Sequence, residues 1–159
     1  MKKVFEELRY DGATLDEVYE MLATPAFREE VCDSQSVLRH SVEINRDGKG
    51  MTVEIDQVQA AEGLPGFVTK IVGDEINIVQ VEDWSALDAA ALTVSIPGKP
   101  AEMSGTITLR ESATTTEDVA LDIRVGIPLV GGKIEQLVGD LLVAALKIEN
   151  RVGRDYLSR

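Results

Sequence analysis

Residues 126–140, GIPLVGGKIEQLVGD, set two glycines and a lysine immediately before a helical pattern, the outline of a phosphate-binding loop. A loop of the G-x-x-x-x-G-K-[ST] kind needs its lysine directly after the second glycine and a hydroxyl next. Here Gly126 and Gly131 keep the gap, but Gly132 holds the lysine position and Lys133 the hydroxyl position, with Ile134 behind. Such a loop also joins strand to helix within a parallel unit, whereas the strands before this helix read as an antiparallel meander. The run therefore predicts a bend from sheet to helix, with Pro128 stiffening the approach.

The other chemistry-bearing residues are few. One histidine and one cysteine make a transition-metal site improbable, since such sites draw three or four ligands together. No cofactor is expected. The carboxylate pairs Glu6/Glu7, Glu29/Glu30 and Glu82/Asp83 are sequence neighbours, and neighbours in a strand point to opposite faces, so they read as solvated charge. There is no G-x-S-x-G elbow, and no residue stands out as a catalytic nucleophile. That leaves His40, which shares a predicted strand face with Leu38, Val42 and Ile44. Three readings stay open for it: a core histidine bonded to backbone or water, a polar contact for a ligand, or an acid/base.

The elements that must position these residues follow from periodicity. Residues 3–10 read as a strand, with Val4, Glu6, Leu8 and Tyr10 on one face. Thr14 and Glu17 form a capping box ahead of LDEVYEML, and Pro25 breaks that helix and starts a second short one. VLRHSVEI and MTVEIDQV flank NRDGKG and predict a hairpin. Setting Ile44 opposite Met51 places His40 opposite Ile55 and Leu38 opposite Gln57. Around residues 64–72, Pro65 at a first helical position, Leu64, Phe67, Val68 and Ile71 at helical spacing, and Gly73 as a stop predict a short helix. It reads either as a packed crossover or as a lid, with Leu64 and Phe67 over a cavity mouth and Gly66 and Gly73 as hinges.

Four more strands follow, in EINIVQVEDW (where the alternation is muddled), ALTVSIPG, MSGTITLRES and EDVALDIRVGI. The last is the cleanest, with Val119, Leu121, Ile123, Val125 and Ile127 on one face. From about Gly132 the period becomes helical, and Ile134, Leu137, Val138, Leu141, Ala145, Ile148, Val152 and Tyr156 stripe a helix of roughly 25 residues, about 38 Å long. The chain thus reads as one domain over 1–159. It is an α+β fold: one strand, two helices, six strands with a helical insert, and a long final helix over the sheet's apolar face.

Composition narrows the function classes. The net charge of −12 opposes nucleic-acid phosphates and anionic lipid surfaces. No apolar run reaches the roughly 20 residues of a membrane span, and MKKVFEELRY lacks the apolar core of a signal peptide, so a cytoplasmic protein is expected. Cys32, the only cysteine, permits no intrachain disulfide and fits a reducing compartment.

With this element order, the chain resembles the START-like (SRPBCC, helix-grip) superfamily typified by the birch-pollen allergen. TLDEVYEMLATPAF is similar to its opening helix pair, RVGIPLVGGKIEQLV to its last strand and gripping helix, and PLVGGKIE to an uncharacterised actinobacterial branch. The resemblance implies a seven-stranded curved antiparallel sheet wrapped around a long C-terminal helix, with a hydrophobic cavity between them. Members bind lipids, sterols, polyketides or plant hormones; some are cyclases and some bind proteins. The superfamily shares no catalytic pattern, so no catalytic residue is carried over.

The expected partner is a small hydrophobic or amphipathic molecule. With only seven aromatics (three Phe, three Tyr, one Trp), the inner lining is mostly aliphatic, and it either interlocks as a solid core or leaves a void. The expected wall is Ile55, Val94, Ile123, Val125, Leu137 and Leu141, with His40 and Gln57 as polar contacts. The alternatives are a cyclase- or hydrolase-type enzyme using His40 as acid/base in the same cavity, and a protein-interaction domain with a filled core and an acidic surface.

Overall fold

The computed structural model describes residues 1–159. Its elements are β1 (Lys2–Asp11), α1 (Leu15–Leu22), α2 (Pro25–Ser34), β2 (Arg39–Asp47), β3 (Gly50–Ala60), α3 (Gly66–Val72), β4 (Glu75–Ala86), β5 (Ala89–Ser95), β6 (Ala101–Glu111), β7 (Thr114–Val125) and α4 (Gly131–Leu157). The seven strands form one curved antiparallel sheet in the order β1-β7-β6-β5-β4-β3-β2. Sequential strands are neighbours throughout, except that β1 crosses to the far edge to pair with β7, as in Val4 opposite Leu121. This is the helix-grip α+β fold, with α4 lying across the concave side.

Local chemistry accounts for the helix boundaries. The Thr14 hydroxyl accepts from Glu17 N while the Glu17 carboxylate accepts from Thr14 N, so two otherwise orphaned amides at the start of α1 are satisfied. Pro25 occupies the first turn of α2, where its missing N–H costs nothing. In α3 the proline precedes the first helical residue instead of occupying it.

Two details correct the sequence reading. The β2–β3 hairpin closes on Asp47 opposite Gly50, so Gly48-Lys49 is a two-residue turn and the strands run on into NRDGKG. The register therefore moves by two: His40 faces Gln57, Val42 faces Ile55 and Ile44 faces Val53. An even shift keeps every side chain on its face, so the inward set survives and only the partners change. In β4, Ile76, Ile78, Gln80, Glu82 and Trp84 face inward. The pattern was unreadable because Val79 and Val81 put apolar groups on the outer face while Gln80 and Glu82 put polar ones inside.

The glycine–lysine run is a bend. Leu129 adopts a left-handed conformation (φ 73°), and Gly131 N–H donates to Ile127 O. A Cβ at Gly131 would lie 2.6 Å from Val125 O, so only glycine lets α4 begin this close to the end of β7. Glu135, just past the first turn of α4, accepts from Val125 N at 2.9 Å and pairs with the Met1 ammonium at 2.8 Å, which ties both sheet edge and bend to the helix.

Candidate functional site

Alternation places one side chain in two on the concave face, and α4 determines how well each is covered. The helix packs chiefly on β1 and β7 and against α1 and α2. Beneath it Val4, Leu8, Val119, Leu121, Ile123, Met103 and Ile107 are buried. Val42 and Ile44 on β2, Ile76, Ile78 and Gln80 on β4, and Leu137, Leu142 and Leu146 of α4 itself are only half-buried. The concave face is thus sealed along β1, β7, β6, β5 and β3 and only half-covered along β2 and the first half of β4.

Two hollows border α4. The apolar one, about 30 Å³, lies beneath α3 at the N-terminal end of α4 and is lined by residues including Val68, Ile71, Val125, Ile127, Ile134 and Val138. The roomier one, about 200 Å³, is a half-polar cleft at the other end, between the β1–α1 turn and the last turns of α4, with Tyr10, Asp11, Arg154 and Leu157 among its walls. The smaller hollow belongs to the concave face and the larger does not, so the smaller marks the candidate site despite its size.

Most polar chemistry inside the fold is concentrated in one cluster. Arg28 on α2 is 2% exposed and pairs two-pronged with Glu82 on β4, 1% exposed, at 2.8 and 2.9 Å. Glu82 also accepts from Trp84 Nε1 at 2.8 Å and from Gln80 Nε2 at 2.6 Å, and Arg28 Nε donates to Leu22 O at 2.8 Å. Nearby are Glu149 of α4, 3.8 Å from Arg28 Nη1, and Glu117 of β7, which accepts from the Tyr10 hydroxyl at 3.4 Å. Burial works against ionising Glu82, but the Arg28 guanidinium outweighs it and holds the carboxyl below its usual range. Burial raises Glu117 well above that range, and the Glu149 and Glu82 charges push the same way. Burial likewise lifts Glu149, to about 7, against the pull of Arg28. The cluster thus holds one charged carboxylate and two whose neutral form burial favours.

The residues expected to form a site do not all meet. Ile55, Val94 and Ile123 are buried on the concave face, and Val125 lines the small apolar hollow. Gln57 is buried beside them, with its Oε1 accepting from Gln59 Nε2 at 3.1 Å. Directly opposite on β2, His40 is half-buried, and its Nε2 is 3.0 Å from Asp33 Oδ1 at the end of α2. Leu137 is half-buried, but Leu141 is 49% exposed. α3 turns Val68, Ile71 and Val72 towards the hollow; Leu64 packs half-buried on the core and Phe67, 38% exposed, does not line it. Spacing explains this, because Val68, Ile71 and Val72 share a face at i, i+3, i+4, which Phe67 adjoins but does not join. Cys32 is buried on α2, where burial pushes its thiol up to about 11. No three His, Cys, Asp or Glu side chains converge to hold a metal ion.

The sequence reading took Glu82 for solvated charge and passed over Arg28, Glu117 and Glu149. The signal for the three carboxyls was present: Glu82 lies two residues from Trp84, Glu117 two from Val119, and Glu149 three from Val152, each on an otherwise inward face. Nothing in α2 marks Arg28 apart from its neighbours Glu29 and Glu30.

The fold is shared with solved structures that include a START superfamily protein. Among solved structures, TTHA0849 from Thermus thermophilus is similar over 98% of this chain and 97% of its own, with a TM-score of 0.67 and 18% identity. A START superfamily protein from Mycobacterium smegmatis is similar over 94% and 96%, with a TM-score of 0.60 and 14% identity. The di-domain ARO/CYC StfQ from the steffimycin biosynthetic pathway matches 98% of this chain with half of its own length, at a TM-score of 0.63 and 13% identity. The chain itself belongs to the family described as protein of unknown function (DUF2505), whose profile matches residues 6–157. It is 31% identical over 121 residues, 70% of each chain, to the uncharacterised protein Rv0481c of Mycobacterium tuberculosis. No helix is long and apolar enough to cross a membrane.

Proposed function

We propose that this protein binds a small hydrophobic or amphipathic molecule between the concave face of the sheet and α4. The observation that carries the reading is the uneven cover of that face: Val42 and Ile44 on β2, Ile78 on β4, and Leu137 and Leu142 on α4 remain half-buried beside strands whose inward side chains are sealed. Exposed apolar area of this kind favours an apolar occupant by about 25 cal/mol per Å² removed from water, before ordering costs. Gln57 and His40, adjacent on β3 and β2, supply the polar contacts that orient an amphipathic ligand. Ile55, Val94, Ile123 and Val125 form the deep wall and Leu137 the helix side, with Leu141 at the rim.

The hollow under α3 has room for about one water, far below the several hundred Å³ of a typical ligand pocket. Entry therefore requires α3 and the first turns of α4 to part. Val68, Ile71 and Val72 make α3 the closing element, and Leu64 and Phe67 flank that seal.

Native mass spectrometry of freshly purified protein, followed by organic extraction, tests the reading directly. The expected result is a co-purifying small molecule, or saturable binding of an environment-sensitive apolar dye that Ile78→Trp weakens by filling the open side. A protein that carries no extractable molecule and leaves such dyes unbound contradicts it.

A further inference from the structure

We propose that Glu117 on β7 and Glu149 on α4 form a proton-operated latch, which holds α2 and the second half of α4 on the sheet while both are neutral and frees them as both ionise. Five elements converge on the pair. β1 contributes Tyr10, β4 contributes Glu82, β7 Glu117, α2 Arg28 and α4 Glu149. These, with the buried Cys32 thiol on α2, are the ionisable groups that face the pair from the elements packed around it.

The charges do not balance without protons. Glu82 takes both prongs of the only guanidinium, together with Trp84 and Gln80. Glu149 receives no hydrogen bond, and its contact with Arg28 Nη1 is 3.8 Å long. Glu117 has one long bond, from Tyr10. With both carboxyls protonated the cluster is neutral; with both ionised it carries two uncompensated negative charges in a region where water cannot screen them.

One member has a way out. Glu149 is 12% exposed, whereas Glu117, Glu82 and Arg28 are sealed, so a small outward movement of α4 hydrates it. α2 is bound to the same cluster through Arg28 and to α4 through the Gln35 amide, which donates to Ala145 O at 3.1 Å. Lifting α4 thus loosens both helices. The sign follows from titration. Both native carboxyls take up protons more readily than in the unfolded chain, near 4.5, so their contribution to stability is full below that value. The Glu149 share is lost as pH rises through about 7, and the Glu117 share as pH rises through its own raised value. Glu82 runs the other way and loses its contribution in acid.

Backbone hydrogen exchange on ligand-free protein between pH 5.5 and 8.5, corrected for the intrinsic pH dependence, reads the latch without invoking any ligand. In the wild type, protection in α2 and in residues 142–157 should fall with pH, by up to about tenfold per unit for each carboxyl that ionises, while β5 and β6 hold theirs. Glu149→Gln and Glu117→Gln keep the shape without the charge, and each should flatten most of that fall. A wild-type profile that is already flat overturns the latch, as does a fall spread evenly over the sheet or one that persists in the variants. If one variant fails to fold, the other suffices for the comparison.

Discussion

The concave face has two unlike sides. Along β1, β7 and β6, Val4, Leu121, Ile123 and Met103 lie sealed beneath α4; along β2 and the first half of β4, Val42, Ile44 and Ile78 are left half-covered. Both sides are aliphatic, so composition does not separate them. The difference is where the helix lies, and Gly153 helps set that position. A Cβ there would come within 2.6 Å of the Tyr10 ring, so glycine lets α4 settle on β1 and away from the other edge. One side of the sheet supplies stability while the other keeps apolar surface in reserve.

The sharpest way to break this comparison is at the cluster that bridges the two sides. Arg28→Ala leaves Glu82 buried without its cation and should cost about 3–5 kcal/mol in urea denaturation at pH 7. Adding Glu82→Leu to that variant should recover much of the loss, because the pair is then replaced and no charge is stranded. If the double variant is no more stable than the single one, the cluster does not behave as a pair.

Aliphatic truncations compare the sides directly. Ile123→Ala opens a cavity in the sealed side and should cost about 2–5 kcal/mol. Ile78→Ala removes the same atoms from a half-covered site that water already touches, and should cost about 1 kcal/mol or less. Similar losses at both positions would erase the distinction drawn here. The smallest effect is expected at His40, whose only side-chain partner is the exposed Asp33. His40→Ala should shift stability by about 0.5 kcal/mol or less while weakening an amphipathic ligand several-fold, as measured by dye displacement. Unchanged displacement in the folded variant removes His40 from the binding surface.

Much of this architecture can be read from periodicity because each element announces itself locally. Thr14 and Glu17 cap α1, Pro25 separates α1 from α2, and the unbroken alternation from Val119 to Val125 marks β7. The turn of period after Val130 marks α4. Long-range pairing is less visible. Gly48-Lys49 closes a tighter hairpin than NRDGKG suggests, and the register moves with it. The apolar wall at Ile55, Val94, Ile123 and Val125 follows from alternation, while the exposure of Leu141 depends on how α4 is rolled about its own axis, which periodicity leaves open. The inward positions of Glu82, Glu117 and Glu149 follow from their apolar neighbours, but the pairing of Glu82 with Arg28 was illegible for a plainer reason. Whether Glu82 meets water or Arg28 depends on a residue 54 positions earlier, and no local pattern carries that information.

The same separation has a consequence for biosynthesis. Arg28 leaves the ribosome well before Glu82, and β1 must wait for β7, with Lys2 opposite Ile123, before its edge finds a partner. Until then Arg28 lacks the buried Glu82 carboxylate that receives it, and the first two helices have no groove to enter. The nascent chain therefore cannot mature from its leading end, and its assembly should be slow and concerted, as expected where contacts are dominated by residues far apart along the polymer.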